Sequence, residues 1–378
     1  MRRAKKNQLV SGSRVASHEF DPKARNSPTR DGKLWTMVLC LMAIISFLTS
    51  NIYSQDLHFS QFFAAPLSTS PSNTGFFNGD WRVGGNFKSQ WPWAIKTTTF
   101  NYRTFAAYCD FSLLKETLPK SDWMGVGAVI LNDKTGDGEL KTTKVFTSVA
   151  YHKSFGKFKK YVLSIGVGGG YVMKNIDYAK LYFNDQWDPN GLLFNTGIPT
   201  TEPTNNDLLG YFDLSAGTHF TYFHNDNINV STGIALYHLT KPKENFSGKD
   251  NRLGIRPVVS AIAFARINKK FHLEPSFDFM CQKKATEYII NLLAGITILA
   301  PNKMKNSIIL IGSAYRPRDA WIPMAGLQWK TMRVILNYDV NLSTLTEASH
   351  ANGGFEMSVV YTGGGQSSQK RMIPCPRL

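Results

Sequence analysis

Beyond Arg82 the apolar residues recur at every second position, and no helical apolar stripe runs longer than two turns. In Arg333–Asn341, Arg333, Ile335, Asn337, Asp339 and Asn341 share one face; Val334, Leu336, Tyr338 and Val340 share the other. In Phe271–Phe279 the apolar face is Phe271, Leu273, Phe277 and Phe279, and the polar face is His272, Glu274, Ser276 and Asp278. Tyr211–Tyr222 repeats the pattern, with Phe212, Leu214, Ala216, Phe220 and Tyr222 opposite Asp213, Ser215, Gly217, His219 and Thr221. Period two is the signature of a strand with two unlike surfaces. A soluble sandwich would turn its polar face to bulk water and fill it with Lys, Glu and Thr. Here that face carries Asp, Asn, His, Ser and Gly. The strand ends are aromatic: Trp81, Trp91, Trp93, Tyr151, Tyr161, Tyr171, Trp321 and Trp329. Aromatic girdles on alternating strands of ~10 residues mark an outer-membrane barrel. A charge on the lipid face costs roughly 2–4 kcal/mol at mid-bilayer, and the apolar faces of these three strands carry none.

About 14 segments follow this pattern: 81–91, 97–110, 122–132, 140–152, 159–173, 210–222, 227–237, 254–266, 270–281, 287–299, 306–317, 319–330, 331–341 and 353–362. The expected fold is therefore all-β, a transmembrane antiparallel β-barrel spanning 81–362. The connections agree with this. Odd-numbered ones (133–139, 174–209, 238–253, 342–352) are long, as outward loops should be. Even-numbered ones are short turns, 111–121 excepted. An even count places both ends of the barrel in the periplasm. Closure satisfies every backbone donor and acceptor in lipid, and fourteen strands leave room inside for water, a plug or a bound segment.

Ahead of the barrel, residues 1–33 are polar, basic and aperiodic and read as a disordered lead, with Met37 as an alternative start. Lys33 precedes the 15-residue run Leu34–Leu48, short of the ~20 apolar residues that a spanning helix needs. With the small polar stretch that follows, 34–54 reads as a signal peptide cleaved between Ser54 and Gln55, the alternative being a single-pass anchor. Residues 55–80 form an N-terminal periplasmic segment and 363–378 a C-terminal tail, each expected in the periplasm or folded into the pore. The chain has a formal net charge of +16, which suggests acidic partners: nucleic acid, anionic lipid or acidic protein. No zinc spacing, RNA-binding sheet signature or basic helix supports nucleic acid.

Few residues suggest chemistry. Cys40, Cys109, Cys281 and Cys375 form no CxxC and no disulfide framework. Asn132–Glu139 reads as a Gly-rich hairpin rather than a calcium loop, because no bidentate Glu follows at the required distance. His219 and His272 fall on the polar face, where a histidine is unremarkable. Val167–Tyr171 (VGGGY) lacks the Lys-Ser/Thr of a phosphate loop; its glycines suit curvature or close packing. Asp207 and His238 flank outer loops with nothing to pair them as a hydrolase dyad. No catalytic residue, metal site or cofactor is expected. Two stretches are candidates for binding. His58, Phe59, Phe62, Phe63 and Pro66 would be costly to leave in water and suggest a docking or plug segment. Loop 174–209, with Trp187, Pro189, Phe194 and Pro199, suggests a contact for exported cargo.

Gln55–Phe62 (QDLHFSQF), Ala65–Leu67 (APL) and Asn78–Trp91 (NGDWRVGGNFKSQW) come in the same order as motifs that open the PorP/SprF family of type IX secretion membrane proteins of Bacteroidota. Arg318–Gly326 (RDAWIPMAG), Tyr338–Leu345 (YDVNLSTL), Gly353–Glu356 (GGFE) and Pro374–Arg377 (PCPR) resemble the family's late strands and tail. Ser68–Pro71 and the final Leu378 depart from its pattern. The resemblance implies a non-enzymatic outer-membrane barrel serving type IX secretion and, in gliding bacteria, adhesin delivery. It implies periplasmic ring and lipoprotein components and secreted surface cargo as partners. A passive porin-like channel is the alternative.

Overall fold

The computed structural model describes residues 56–91, 102–115, 117–118, 122–202, 204, 207–246, 250–298, 307–344 and 346–364. The lead 1–33, the export segment 34–54 with the Ser54–Gln55 cut, Trp93, the turn 300–305, Cys40, Cys375 and the tail beyond Gly364 lie outside the described residues.

Fourteen antiparallel strands close into a barrel. They are β1 (Trp81–Gln90), β2 (Tyr102–Leu113), β3 (Trp123–Thr135), β4 (Leu140–Phe155), β5 (Tyr161–Asn175), β6 (Leu208–Asn225) and β7 (Ile228–Tyr237). The second half is β8 (Arg256–Arg266), β9 (Phe271–Gln282), β10 (Ala285–Ile298), β11 (Ser307–Arg316), β12 (Ala320–Trp329), β13 (Met332–Asn341) and β14 (Asn352–Gly363). Each strand pairs with its sequence neighbour, and β1 pairs with β14 from Trp81↔Gly363 to Gln90↔Gly354. β4 and β6 run longer than alternation alone suggested, to Phe155 and Asn225. β2 starts later, at Tyr102, and runs on to Leu113.

Alternation sets the two surfaces. On β6, Phe212 is 73% exposed on the outside and its neighbour Asp213 is 2% exposed inside. On β13, Arg333, Ile335, Asn337, Asp339 and Asn341 are all buried toward the lumen. One sector of the wall departs from the polar-in rule. Ile289, Leu293, Leu310, Ile322 and Ile335 on β10–β13 form an apolar cluster inside the barrel. Apolar residues on both faces of a barrel strand require something apolar inside to cover them.

The β5–β6 and β7–β8 connections and the β13–β14 loop lie at one end. The short turns after β4, β6, β8 and β12 lie at the other, and by the architecture of bacterial barrels that end faces the periplasm. A girdle of stacked rings marks this rim: Phe155–Tyr161 at 5.7 Å and Tyr161–Tyr222 at 5.2 Å between centroids. Val167→Arg, on the lipid face of β5, should destabilise insertion by ~2–4 kcal/mol. Urea titration in lipid vesicles would measure it; no shift in the midpoint would contradict the assignment of that face.

Candidate functional site

Of the two placements open to residues 56–80, the periplasm or the pore, the structure has the second. They occupy the lumen, because their apolar residues find cover there. Phe59, Phe62, Phe76 and Phe77 are each at most 5% exposed, and burying one such ring is worth roughly 1.5–3 kcal/mol. Phe62 covers the apolar sector of β10–β13. Phe59 packs with Ala65 against Ala106 and Leu131. Phe76 stacks on Trp123 at 6.0 Å and meets His219 edge-on at 4.4 Å. Phe63 is half-buried beside Phe62, and Pro66 opens a single buried helical turn, Pro66–Thr69.

The direction of the segment follows from its partners. Asp56 sits among groups at the outer ends of their strands: the Lys144 ammonium on β4, His238 just past β7 at 3.3 Å, and Arg256 at the head of β8 at 3.5 Å. Its backbone N–H donates to the Gln282 side chain at the end of β9 (3.0 Å). His58 pairs with Glu287 at 2.6 Å. Glu356 on β14 accepts the backbone N–H groups of both Ser60 (3.0 Å) and Gln61 (2.8 Å). The segment then descends. Tyr108 donates to the Ala64 carbonyl (3.0 Å), Tyr237 to Ser68 (2.9 Å), and His152 Nε2 lies 2.8 Å from the Thr74 carbonyl. At the periplasmic end Trp123 Nε1 donates to the Gly75 carbonyl (2.9 Å), and Asp110 accepts the Gly75 N–H (2.7 Å). Asp110 also holds Arg82 in a bidentate pair at 2.9 and 2.8 Å. That guanidinium lies 4.6 Å over Phe77, which ties the foot of the segment to β1 and β2.

Most of these bonds join wall side chains to main-chain groups of the segment. An irregular segment buried in a barrel has no ladder partner, so its N–H and C=O groups must find side chains. The wall also makes room for it. A Cβ on Gly166 would stand 2.5 Å from the Pro71 carbonyl, and one on Gly125 would stand 1.9 Å from the Thr74 oxygen. Two cavities flank the segment. One lies between Phe62, Phe63 and Pro66 and the wall at Ile262 and Phe264. The other lies beside Asp56, Lys144 and Arg256.

At the outer end, residues 176–202 fold around two side chains. Gln186 donates to the Ile198 carbonyl (3.0 Å) and accepts the Phe183 N–H (3.1 Å). Asp185 accepts from Thr201 N (2.6 Å) and Thr200 Oγ1 (2.9 Å), and the Thr201 N–H chiefly holds its carboxyl below the usual range. A short hairpin, Trp187–Asp188 with Leu193–Phe194, presents its rings outward. Trp187 and Phe194 meet edge-on at 5.1 Å, each 43% exposed. Pro189 and Pro199 are exposed. Glu139, in the neighbouring hairpin turn, is held at about 2 by hydrogen bonds from Lys134 and Lys180, and Lys180 fastens the start of the loop to that turn.

The sequence picked out His58, Phe59, Phe62, Phe63 and Pro66, and the structure brings all five together inside the barrel. It missed Asp56, Gln61, Glu356 and the Phe76–Trp123–His152 stack. Asp207 does not approach His238; His238 pairs with Asp213 at 2.7 Å.

The profile of the type IX secretion system membrane protein PorP/SprF matches residues 51–361. The chain belongs to the PorP/SprF family. The protein is an outer-membrane β-barrel, and Asp56–Phe62, the described part of the QDLHFSQF motif, is the outer part of the lumenal segment. No curated protein matches the chain closely enough to count as a relative. Among solved structures it is similar to the Ralstonia pickettii toluene transporter TbuX, at 11% identity and TM-score 0.45 over 79% of this chain and 92% of that one. It is also similar to the CymD monoaromatic hydrocarbon channel (11%, 0.45, 81% and 94%) and to a Pseudomonas aeruginosa FadL homologue (11%, 0.41, 77% and 92%).

Glu356→Ala removes the acceptor of two buried N–H groups, each worth ~1–3 kcal/mol when left unmet. Exchange of the Ser60 and Gln61 amides should then quicken at least ~tenfold while the barrel amides keep their protection. Hydrogen-exchange mass spectrometry reads this directly; equal protection in both proteins would show that the segment is not held there.

Proposed function

We propose that the protein is a non-enzymatic scaffold of type IX secretion that displays a cargo-binding loop outside and docks secretion components inside the periplasm. The filled lumen carries this reading. A barrel whose interior is packed with its own chain, bonded to strands around the circumference, suits anchoring better than diffusion. The outer loop supports the cargo role, since exposed aromatic rings on a loop ordered by buried polar contacts resemble a binding surface. Its ligand would be an exported surface protein such as an adhesin, delivered in gliding bacteria. The periplasmic partners would be ring or lipoprotein components of the secretion machinery. The porin-like alternative draws only on the two small cavities beside the segment.

In planar bilayers the purified protein should be electrically silent, and a variant lacking 56–76 should conduct. Steady conductance of the intact protein would favour the channel. Deleting 178–205 should leave the barrel inserted and abolish cargo retention at the cell surface, measured by antibody labelling of intact cells. Unchanged retention would remove the loop from the proposal.

A further inference from the structure

Lysines cluster in the periplasmic turns. Lys157, Lys159 and Lys160 form the β4–β5 turn, Lys269 and Lys270 the β8–β9 turn, and Lys330 the β12–β13 turn. The described acids at this end are largely spoken for. Asp122 is buried, accepting from Tyr151 (2.6 Å) and the Ser154 N–H (3.0 Å), and Asp80 pairs with Lys115 at 3.0 Å. Asp226 is exposed in the β6–β7 turn. The outer loops mix signs, as in the Glu139–Lys134–Lys180 network and the Asp250–Lys243 pair, with the Lys283–Lys284 turn as the exception. The basic excess at the rim is therefore a local feature and not a reflection of net charge alone.

The β4–β5 turn is built differently from the β6–β7 and β8–β9 turns. In the β6–β7 and β8–β9 turns an asparagine does the folding work. Asn225 Oδ1 accepts from Asn227 N (2.8 Å) and Ile228 N (2.9 Å), and Asn268 Oδ1 accepts from Lys270 N and Phe271 N in the same way. The β4–β5 turn instead puts Phe158 (φ 61°) and Lys159 (φ 54°) in the left-handed region, which strains a residue with a β-carbon. The Phe158 ring gains no burial in return: it is 81% exposed, with the Lys157 ammonium 5.5 Å from its centroid. A bulky ring held out on a strained tip serves no purpose in the barrel itself.

The girdle decides between lipid and protein as the surface it meets. Phe155 and Tyr161 are the last register pair of the hairpin, and they lie in the stacked ring layer at the membrane interface. Phe158 lies beyond that pair at the tip of the turn, among Lys157, Lys159 and Lys160, where its exposed ring faces the periplasm. The β8–β9 turn lies four strands further round, about 20 Å at ~4.8 Å per strand, so the face extends past a single loop.

We infer that the β4–β5 turn, Lys157–Lys160 with Phe158 at its tip, is a docking point for an acidic periplasmic protein surface that offers an apolar pocket to the ring. The lysines steer the approach and suppress basic competitors, and the buried ring supplies the anchor. This rests on the scaffold reading above and names the chemistry of its periplasmic partner.

The test uses the full-length protein in its native outer membrane, with p-benzoylphenylalanine at position 158 and adducts identified by mass spectrometry. The expected result is a protein adduct whose crosslinked peptide is acidic. Its yield should fall at least ~tenfold when Lys157, Lys159 and Lys160 are changed to Glu. Exchanging acids for lysines in the crosslinked peptide should restore it. Adducts to phospholipid only would assign the turn to the membrane and overturn the inference. So would a protein adduct that is indifferent to the charge reversal, or no adduct at all. Phe158→Ser in the lysine-intact chain provides a second variant that leaves the charge unchanged: loss of co-purification of the crosslinked protein is expected, and full retention would remove the ring from the anchor. Surface retention of cargo in the same strains reports separately on the outer loop, so failure here and failure of the scaffold reading give different results.

Discussion

Everything in this molecule depends on the pairing of backbone hydrogen bonds in a solvent that offers none. In the bilayer core an unpaired N–H or C=O costs several kcal/mol, so the sheet has to close. The β1–β14 ladder from Trp81↔Gly363 to Gln90↔Gly354 does this. Closure at fourteen strands creates the next problem. The interior is wider than wall side chains alone can fill, and one sector of the wall is apolar on its inner face. The chain's own residues 56–80 fill it, and the same rule then applies to them: their main-chain groups have no ladder and are met by side chains of the wall.

This accounts for the chemistry of the lumen. Glu356, Asp110, Gln282, Tyr108, Tyr237, Trp123 and His152 are spread around the barrel, and each reaches the main chain of the segment. Buried charges are tolerated because they are paired, often with the segment or its foot: Asp56 with Lys144 and Arg256, His58 with Glu287, Arg82 with Asp110. Removing one partner leaves the other charge buried and alone, which is far costlier than the pair is stabilising. Wall and segment therefore fold as one unit, with the glycines of β3 and β5 setting how closely they approach.

The two ends of the barrel differ. Outside, a long loop is held in shape by Asp185 and Gln186 while its rings remain exposed. At the periplasmic end, short turns present lysines and the exposed Phe158. A rigid, filled barrel between them keeps both surfaces in fixed orientation, which suits a scaffold better than a conduit.

The strands were legible in the sequence because lipid and lumen impose opposite demands on alternate residues, and that signal is local: Phe212 beside Asp213, Leu336 beside Asn337. The aromatic rims and the parity of the loops were legible for the same reason. So was the need of Phe59 and Phe62 for cover, since exposed rings are costly wherever they lie. What covers them was not legible. Ile289, Leu293 and Leu310 read as ordinary apolar strand residues, and only closure brings them to the same side of the lumen as Phe62. The glycines around VGGGY suggested close packing but not the partner of Gly166, just ahead of that run: Pro71, about a hundred residues away in the chain. Periodicity is a property of neighbours in sequence and determines which face a residue takes. The occupant of the space enclosed by those faces depends on contacts across the barrel, and the tertiary structure alone decides it.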